Sequence, residues 1–271
     1  MDYGLSGKVA LVTGTASQVG MGKAICLTLA KEGCDIISTD INLDGAKQTA
    51  DAVEALGRKS VAFKVDITKG DDVDSMVKAA LKEMGKIDIL VNTAGGNSKL
   101  GDQFLESKQE TWEKDMALNL YGTMNCAKAV LPGMIERKWG KIINFSSIVA
   151  RTGIGGPGSY SAAKAAVLSF NRGLATQYGP FNINVNAIAP GMLNTNFFAG
   201  LPGNVTTQIF TEVASLAPLK RNQTVEDIAN AVAFLSSDVS KNITGQCIQV
   251  DSGLVMIYPL AVFYSICNMR L

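Results

Sequence analysis

KVALVTGTASQVGMGKAICLTLAK, residues 8–31, is the stretch that decides the fold. Its first part, residues 8–13, is short, apolar and β-branched, which is typical of a buried parallel strand. Three glycines follow, Gly14, Gly20 and Gly22, and an apolar-periodic helix is predicted from Lys23 to Lys31. A strand, a glycine loop and a helix in this order indicate a dinucleotide site, because the glycines let the pyrophosphate reach the helix N-terminus. The alternative is a glycine-rich turn that binds nothing.

A carboxylate follows at the distance that such a site needs. The predicted strand 35–39 ends at Asp40, about 18 residues past the last glycine, where a carboxylate accepts hydrogen bonds from the adenosine ribose hydroxyls. Asp40 would repel a ribose 2′-phosphate, and no arginine lies beside it or in the glycine loop. Lys23 is the nearby cation, and we expect it to point to solvent. These residues favour NAD over NADP, although a plain surface aspartate is the alternative.

A tyrosine and a lysine supply the candidate chemistry. Tyr160 and Lys164 lie four residues apart on a predicted helix, for which Ser159 is the expected N-cap. A phenol has an unperturbed pKa of about 10, and a cation beside it favours the phenolate, which can exchange a proton with a substrate oxygen. Taken alone, this spacing usually marks a helix surface. The chain has no histidine, however, which excludes histidine-based triads and histidine-ligated zinc.

These segments together resemble the short-chain dehydrogenase/reductase family, over about residues 5–253. The resemblance implies that Tyr160 is the acid–base, that Ser147 orients the substrate oxygen, and that Lys164 lowers the tyrosine pKa. It further implies that Asn119 links this lysine to solvent through water. The cofactor contacts that it implies are Gly14, Ser17, Gln18, Gly20, Met21, Asp40, Asp66, Ile67, Asn92, Ala94, Gly95, Tyr160, Lys164, Pro190, Gly191 and Thr195.

Two positions depart from the family pattern. The family usually has three residues between the first two glycines, whereas five lie between Gly14 and Gly20. We expect this two-residue insertion to enlarge the loop over the pyrophosphate and to leave the helix N-terminus in place. Thr93 stands where the family commonly has asparagine, so a hydrogen bond at a strand end is expected to change.

The alternation of predicted strands and helices indicates an α/β fold. We predict one Rossmann-type doubly wound parallel sheet of about seven strands, with helices on both faces and the ligand at the carboxyl ends of the strands. The predicted strands lie near 8–13, 35–39, 61–65, 87–91, 141–146, 183–189 and 246–250. The predicted helices lie near 21–32, 43–56, 70–84, 107–137, 159–178 and 224–236.

Composition is consistent with one catalytic domain over residues 1–271. No repeat, linker or charge block divides the chain, and a net charge of +1 gives no footprint for nucleic acid. The N-terminus has no secretory pattern, so we predict a cytoplasmic protein. The cysteines have no metal-ligand spacing, and we expect no metal site and reduced, mostly buried thiols at Cys26, Cys34, Cys126, Cys247 and Cys267.

The expected function is NAD-dependent interconversion of a secondary alcohol and a ketone. A lid is predicted over about 192–218, and its aromatic and aliphatic residues, among them Phe197, indicate an apolar substrate. An alicyclic or aromatic alcohol and a hydroxyacyl thioester both fit, although several of these side chains could simply pack the lid onto the core. The alternatives from other classes are a catalytically silent partner subunit and an NAD(H)-binding regulator of the same fold.

An apolar extension, residues 254–271, follows the last predicted strand. It is too short for a membrane span and is interrupted by Pro259, so no stable membrane insertion is expected. A long apolar segment is rarely left exposed, which favours an oligomer interface. We expect a homo-oligomer, a tetramer or a dimer, that uses helices 107–137 and 159–178 as the family does. Peripheral membrane contact is the alternative.

Overall fold

Seven parallel strands form the centre of the molecule. The computed structural model describes residues 2–99, 103–153, 158–198 and 203–256. The strand order is β3-β2-β1-β4-β5-β6-β7, and each neighbouring pair is parallel. This confirms the predicted Rossmann-type sheet. The strands are β1 Val9–Thr13, β2 Asp35–Asp40, β3 Ser60–Lys64, β4 Ile89–Asn92, β5 Gly140–Phe145, β6 Ile183–Pro190 and β7 Cys247–Val250.

Helices cover both faces of this sheet. Alternate residues of β1 point to opposite faces, so Ala10 and Val12 pack in one core, and Val9 and Leu11 pack in the other. The first core takes apolar residues from α1 and α9, and the second takes them from α3 and α5. The α-helices are α1 Met21–Lys31, α2 Leu43–Glu54, α3 Gly70–Met84, α4 Gln109–Met116, α5 Gly122–Arg137, α6 Val149–Thr152, α7 Ser159–Tyr178, α8 Gly203–Leu216 and α9 Val225–Ser236.

The prediction of one long helix over 107–137 is wrong in one respect, because a π-helical turn interrupts the α-helical geometry. Helix α4 passes into a π-helical turn, Ala117–Tyr121, and α5 continues from that turn. A π turn accommodates one residue more than an α turn and is often found at functional sites. Before α4, a 3₁₀ turn at Phe104–Glu106 stacks Phe104 on Trp112, with ring centroids 5.4 Å apart.

Two helices were not predicted. Helix α6 is a single turn after β5, and α8 lies inside the predicted lid. Leu201 and the side chain of Phe198 in that lid lie outside the described residues, as do residues 257–271 of the C-terminal extension. Within the described ranges, no helix is both long and apolar enough to cross a membrane.

The amino end of β5 holds a buried lysine. Lys141 is 2% exposed, and its ammonium donates a hydrogen bond to Asn184 Oδ1 at 2.9 Å. The pKa of Lys141 is lowered to about 8, chiefly by burial. Of the nearby charges, Asp238 acts to raise this pKa and Lys8 acts to lower it. Both cations lie near the ring of Trp139, with Lys8 Nζ 3.8 Å and Lys141 Nζ 5.8 Å from the ring centroid.

Three cysteines are buried in the core. Burial raises the thiol pKa of Cys26, Cys34 and Cys126, which keeps them protonated and unreactive near neutral pH. Cys247 is half-buried and also free. Cys267 lies outside the described residues.

Candidate active site

The carboxyl ends of the strands gather the predicted site residues. Asp40, Asn92 and Pro190 each end a strand, and Asp66 and Ser147 follow two residues after β3 and β5. Because all seven strands are parallel, these five positions lie at one edge of the sheet. The structure therefore brings together the residues that the sequence places at separate strand ends.

The glycine loop excludes side chains at two close contacts. Gly14 has φ 73°, and a Cβ atom there would lie 2.8 Å from the Cα of Ala94. A Cβ atom at Gly22 would overlap the carbonyl group of Gly14. Helix α1 begins at Met21 after Gly20, which offers no side-chain cap. The first amides of α1 are therefore oriented to bind an anion such as a pyrophosphate.

The two-residue insertion folds onto the start of α2. The Gln18 amide donates to the carbonyl oxygens of Ala16 at 3.0 Å and Gly45 at 3.2 Å. A Cβ atom at Gly45 would lie 2.6 Å from the Ala16 side chain, so glycine permits this contact. Lys23 Nζ donates to Gln18 Oε1 at 2.7 Å. This hydrogen bond is exposed to solvent, as expected for Lys23, and it supports the loop.

Two acidic residues, Asp40 and Asp66, lie where the adenosine end of a dinucleotide is predicted. Asp40 accepts the backbone amides of Ala16 at 2.9 Å and of Asn42 at 3.0 Å, one on each carboxylate oxygen. The pKa of Asp66 is held below its usual range, chiefly by the hydrogen bond from the Thr68 hydroxyl. Both carboxylates are thus oriented by backbone turns.

Buried polar atoms near the loop and β4 lack partners among the described residues. They are Ser17 Oγ, Asn92 Oδ1 and Thr93 Oγ1. A buried polar atom without a partner is costly, and a bound polar ligand would satisfy it. Together with the glycine contacts, these atoms fit a nicotinamide dinucleotide. The hydroxyl that replaces the family's amide at Thr93 is one of the three.

The next contacts position the β4 loop, and they include Ile67, which is predicted to contact the cofactor. Thr13 Oγ1 accepts the backbone amide of Ala94 at 3.0 Å, which ties the β4 loop to β1. A Cβ atom at Gly95 would lie 2.8 Å from Asn119 Oδ1 and 3.0 Å from Lys164 Nζ. Ile67 is buried and is the side chain that a Cβ atom at Gly122 would meet.

Tyr160 and Lys164 lie on the first turns of α7. Burial raises the pKa of Tyr160 to about 12, a hydrogen bond with Ser147 lowers it, and the Asp115 carboxylate raises it. Lys164 Nζ lies 5.8 Å from the Tyr160 ring centroid and donates to the carbonyl oxygen of Phe145 at 2.9 Å. Burial lowers the pKa of Lys164 to about 8. Burial outweighs the lowering contact from Ser147, so the pKa of Tyr160 lies above its ordinary value; that Lys164 lowers it stays a prediction.

Asn119 lies in the π turn, and its side chain is fully engaged. Its amide donates to the carbonyl oxygens of Gly96 at 2.8 Å and Asp115 at 2.9 Å, and its Oδ1 accepts the Gly96 amide at 3.1 Å. These contacts hold the β4 loop beside Lys164. A role for Asn119 in a water relay stays a prediction.

The segment after β6 closes the other side. The backbone amide of Gly191 donates a hydrogen bond to the carbonyl oxygen of Val250 at 3.0 Å. A Cβ atom at Gly191 would lie 2.6 Å from Gln223 Nε2. Thr195 lines a cavity of about 940 Å³ between the glycine loop and α8. The ring of Phe197 lies 5.9 Å from the Tyr160 ring, whereas Leu193 and Phe210 are buried. Leu193 packs in the first core, whereas Phe210 also lines the cavity, so the packing alternative holds for Leu193.

Sequence reasoning missed three groups around the site. Helix α7 begins at Ser159 with Gly158 (φ 87°) as its N-cap, so the expected Ser159 cap is wrong, and Ser159 donates to Asp115 instead. Asn144 accepts from Asn92 at 3.0 Å and donates to Asn171 at 3.2 Å, linking β4, β5 and α7. A polar residue inside the apolar strand β5 was a signal for Asn144. The hydrogen bond between Asp115 and Ser159 joins residues that are far apart in sequence, so no local sequence pattern indicated it.

Comparison with known proteins identifies the family. The family described as enoyl-(acyl carrier protein) reductase matches residues 14–255. A 3-oxoacyl-[acyl-carrier-protein] reductase FabG of Staphylococcus epidermidis is 37% identical over 253 residues, which cover 92% of this chain and 99% of that protein. The chain belongs to the short-chain dehydrogenase/reductase family. It is therefore an oxidoreductase of that family.

Further relatives agree with this assignment. A 3-oxoacyl-[acyl-carrier-protein] reductase FabG of Thermotoga maritima is 35% identical over 252 residues, covering 93% of this chain and 99% of that protein. A crystal structure assigned as a short-chain alcohol dehydrogenase from Sinorhizobium meliloti 1021 superposes with a TM-score of 0.86 at 32% identity. That match covers 94% of this chain and 98% of that one. The names of these relatives do not state which nicotinamide cofactor they use.

Proposed function

We propose that the protein is an NAD-dependent oxidoreductase that interconverts a secondary alcohol and a ketone. The observation that carries the proposal is that Tyr160 shares helix α7 with Lys164, has Ser147 close enough to lower its pKa, and lies at the sheet edge that also bears the glycine loop. An acid–base next to a dinucleotide site suits a reaction that moves a proton and a hydride together.

The roles divide between the side chains. In oxidation Tyr160 accepts the hydroxyl proton, and in reduction it donates a proton to the carbonyl oxygen. Ser147 orients that oxygen, and Lys164 supplies a positive charge beside the phenol and binds the nicotinamide ribose. The cofactor, when bound, accepts the hydride from the alcohol carbon or donates it to the ketone.

Asp40 favours NAD. Its carboxylate ends β2, where the adenosine ribose binds in dinucleotide folds, and like-charge repulsion disfavours a 2′-phosphate there. The nearest cation of the glycine loop region, Lys23, is hydrogen-bonded to Gln18.

A hydroxyacyl thioester is the substrate class that we place first. The two bacterial relatives are named for a 3-oxoacyl-[acyl-carrier-protein], and an acyl group carried in this way suggests a thioester substrate. The cavity beside Thr195 has a mixed lining: Thr207, Thr211 and Ser215 are polar, whereas Val19, Phe210 and Ala214 are apolar. This mixture suits an extended substrate that has both polar groups and an apolar chain. Phe197, beside Tyr160, supports the second class, an alicyclic or aromatic alcohol.

A two-panel assay tests the proposal. NADH and NADPH oxidation is followed with 3-oxoacyl thioesters and with cyclic ketones, and NAD reduction with the matching alcohols. We expect turnover with NADH on at least one panel. Absence of turnover with every substrate, combined with tight NADH binding, would favour a regulator; absence of binding as well would favour a silent subunit. A cytoplasmic location and a homo-oligomer remain predictions.

A further inference from the structure

Asp115 is a buried carboxylate that the proposed chemistry does not yet use. It lies near the end of α4 and is 1% exposed. Within the described residues, no lysine or arginine nitrogen forms an ion pair with it. Burying a carboxylate is costly unless hydrogen bonds stabilise it. The contacts of Asp115 therefore carry information about its role.

Those contacts join three parts of the active site. Oδ2 accepts the Ser159 hydroxyl at 2.6 Å, and Oδ1 accepts the backbone amide of Ser98 at 2.9 Å. The backbone carbonyl of Asp115 accepts the Asn119 amide at 2.9 Å. One residue thus holds the first residue of α7, the loop after β4 and the side chain of the π turn.

The carboxylate of Asp115 also lies near the amino end of helix α7. Helix α7 has no side-chain cap from its own N-cap, Gly158, and Asp115 approaches its amino end from another helix. A negative charge at a helix N-terminus is favourable. Tyr160 is the second residue of α7, directly after Ser159, so the same carboxylate acts on the phenol.

We propose, on the basis of the proposed function, that Asp115 is a positioning residue for the acid–base step. It fixes the amino end of the helix that bears Tyr160 against the β4 loop, and it places a negative charge near the phenol. This charge acts on Tyr160 in the same direction as burial and against the hydrogen bond from Ser147, so it helps to set the pH at which Tyr160 exchanges its proton.

The charged and polar groups that face Tyr160 come from three elements. Asp115 approaches from α4, Lys164 from α7 itself, and Ser147 from the loop after β5. The Phe197 ring on the lid is uncharged. Asp115 raises the pKa of Tyr160, so removal of its charge must lower that pKa.

Asp115→Asn tests the charge with little change in volume. In the oxidation direction the activity rises with pH as Tyr160 loses its proton. We expect this rise in kcat/KM to move to lower pH by about 0.5–1 unit, the size of one charge acting through space. Glu110→Gln is the matched control, because it removes one charge from an exposed site on the same helix; we expect no shift from it.

Ser159→Ala separates positioning from charge. It removes the hydroxyl that Asp115 accepts but leaves the carboxylate, so we expect a several-fold fall in kcat without a downward shift of the pH profile. If Asp115→Asn lowers kcat and melting temperature but leaves the profile unmoved, Asp115 is only a helix cap and the proposal is overturned.

A second measurement does not need turnover. Tyrosine labelled with ¹³C at Cζ reports the ionisation of Tyr160, which is assigned by comparison with Tyr160→Phe. At a fixed alkaline pH we expect more tyrosinate in Asp115→Asn than in the wild type. If the wild type turns over no substrate, the proposed function fails while this resonance still decides the role of Asp115; an unchanged tyrosinate fraction overturns that role.

Discussion

At the scale of single residues, the hydroxyl of Tyr160 is the group on which the chemistry depends. Tyr160→Phe keeps the ring that packs near Phe197 and removes only the proton that is transferred. We expect kcat to fall by about 10²–10⁴-fold, the usual contribution of a general acid–base. The Kd for NADH, measured by fluorescence titration, should change little. A variant that keeps more than about a tenth of wild-type kcat would rule out this role.

Asp40 makes a prediction about cofactor choice. The wild type should prefer NAD to NADP in kcat/KM, and Asp40→Ala should narrow that preference because the repulsion of a 2′-phosphate is removed. Asp40→Asn is the matched variant: it loses the charge and keeps an oxygen that can accept one of the two amides now bound, Ala16 or Asn42. A wild type that already prefers NADP would show that the assignment of Asp40 is wrong.

At the scale of elements, the inserted glycine loop depends on a glycine in α2. Gly45→Ala improves the intrinsic helix propensity of α2 but places a Cβ atom against Ala16. We expect the Kd for NADH to rise about tenfold, equivalent to about 1.4 kcal/mol, because the loop must move.

Gly173→Ala is the control for that change. A Cβ atom there meets open space on α7, so the Kd for NADH should be unchanged. If Gly45→Ala also leaves the Kd unchanged, the loop does not depend on this contact.

The strands could be predicted from the sequence, and the irregular elements could not. Each of the seven strands lies within two residues of its prediction, because a run of buried β-branched residues has few alternatives. The π turn around Asn119 was missed because one extra residue in a helical turn leaves no periodic signal. Helix α8 was missed because its sequence was interpreted only as a lid.

The residues of the candidate site likewise fall into those that could be placed from the sequence and those that could not. Residues at strand ends, such as Asp40 and Asn92, could be placed because parallel strands share one edge. The N-cap of α7 was assigned one residue too late, since Gly158 with its positive φ takes that place. Asp115 was missed because its partners Ser98 and Ser159 lie 17 and 44 residues away in sequence.

At the scale of the whole molecule, Lys141 predicts how stability depends on pH. Its pKa is about 8 in the fold against an ordinary 10.5, so between these values the unfolded chain binds more protons. The contribution of this lysine to the free energy of unfolding therefore rises from about pH 8 to about pH 10.5. Lys141→Met keeps Lys164 and removes only this dependence. We expect the wild type to gain stability relative to the variant between pH 7 and pH 9.5 in urea unfolding; a constant difference would contradict this.

The C-terminal extension predicts an effect on assembly. Deletion of residues 258–271 should weaken the oligomer or raise KM for substrate, and should leave the cofactor Kd unchanged, because the segment is apolar and follows the last strand. Analytical ultracentrifugation and steady-state kinetics measure both effects. A truncated protein with unaltered assembly and kinetics would show that the extension has neither role.

The two tryptophans of the chain occupy very different surroundings. Trp112 stacks on Phe104 and lies on the helix that carries Asp115, whereas Trp139 precedes β5 and has two lysine ammonium groups near its ring. Their indoles differ in local field, so their emission should differ in wavelength and in quenching. The protein therefore carries two intrinsic fluorescent probes, one on the helix that bears Asp115 and one at the amino end of β5. Replacing one tryptophan by phenylalanine lets the emission of the other be recorded alone.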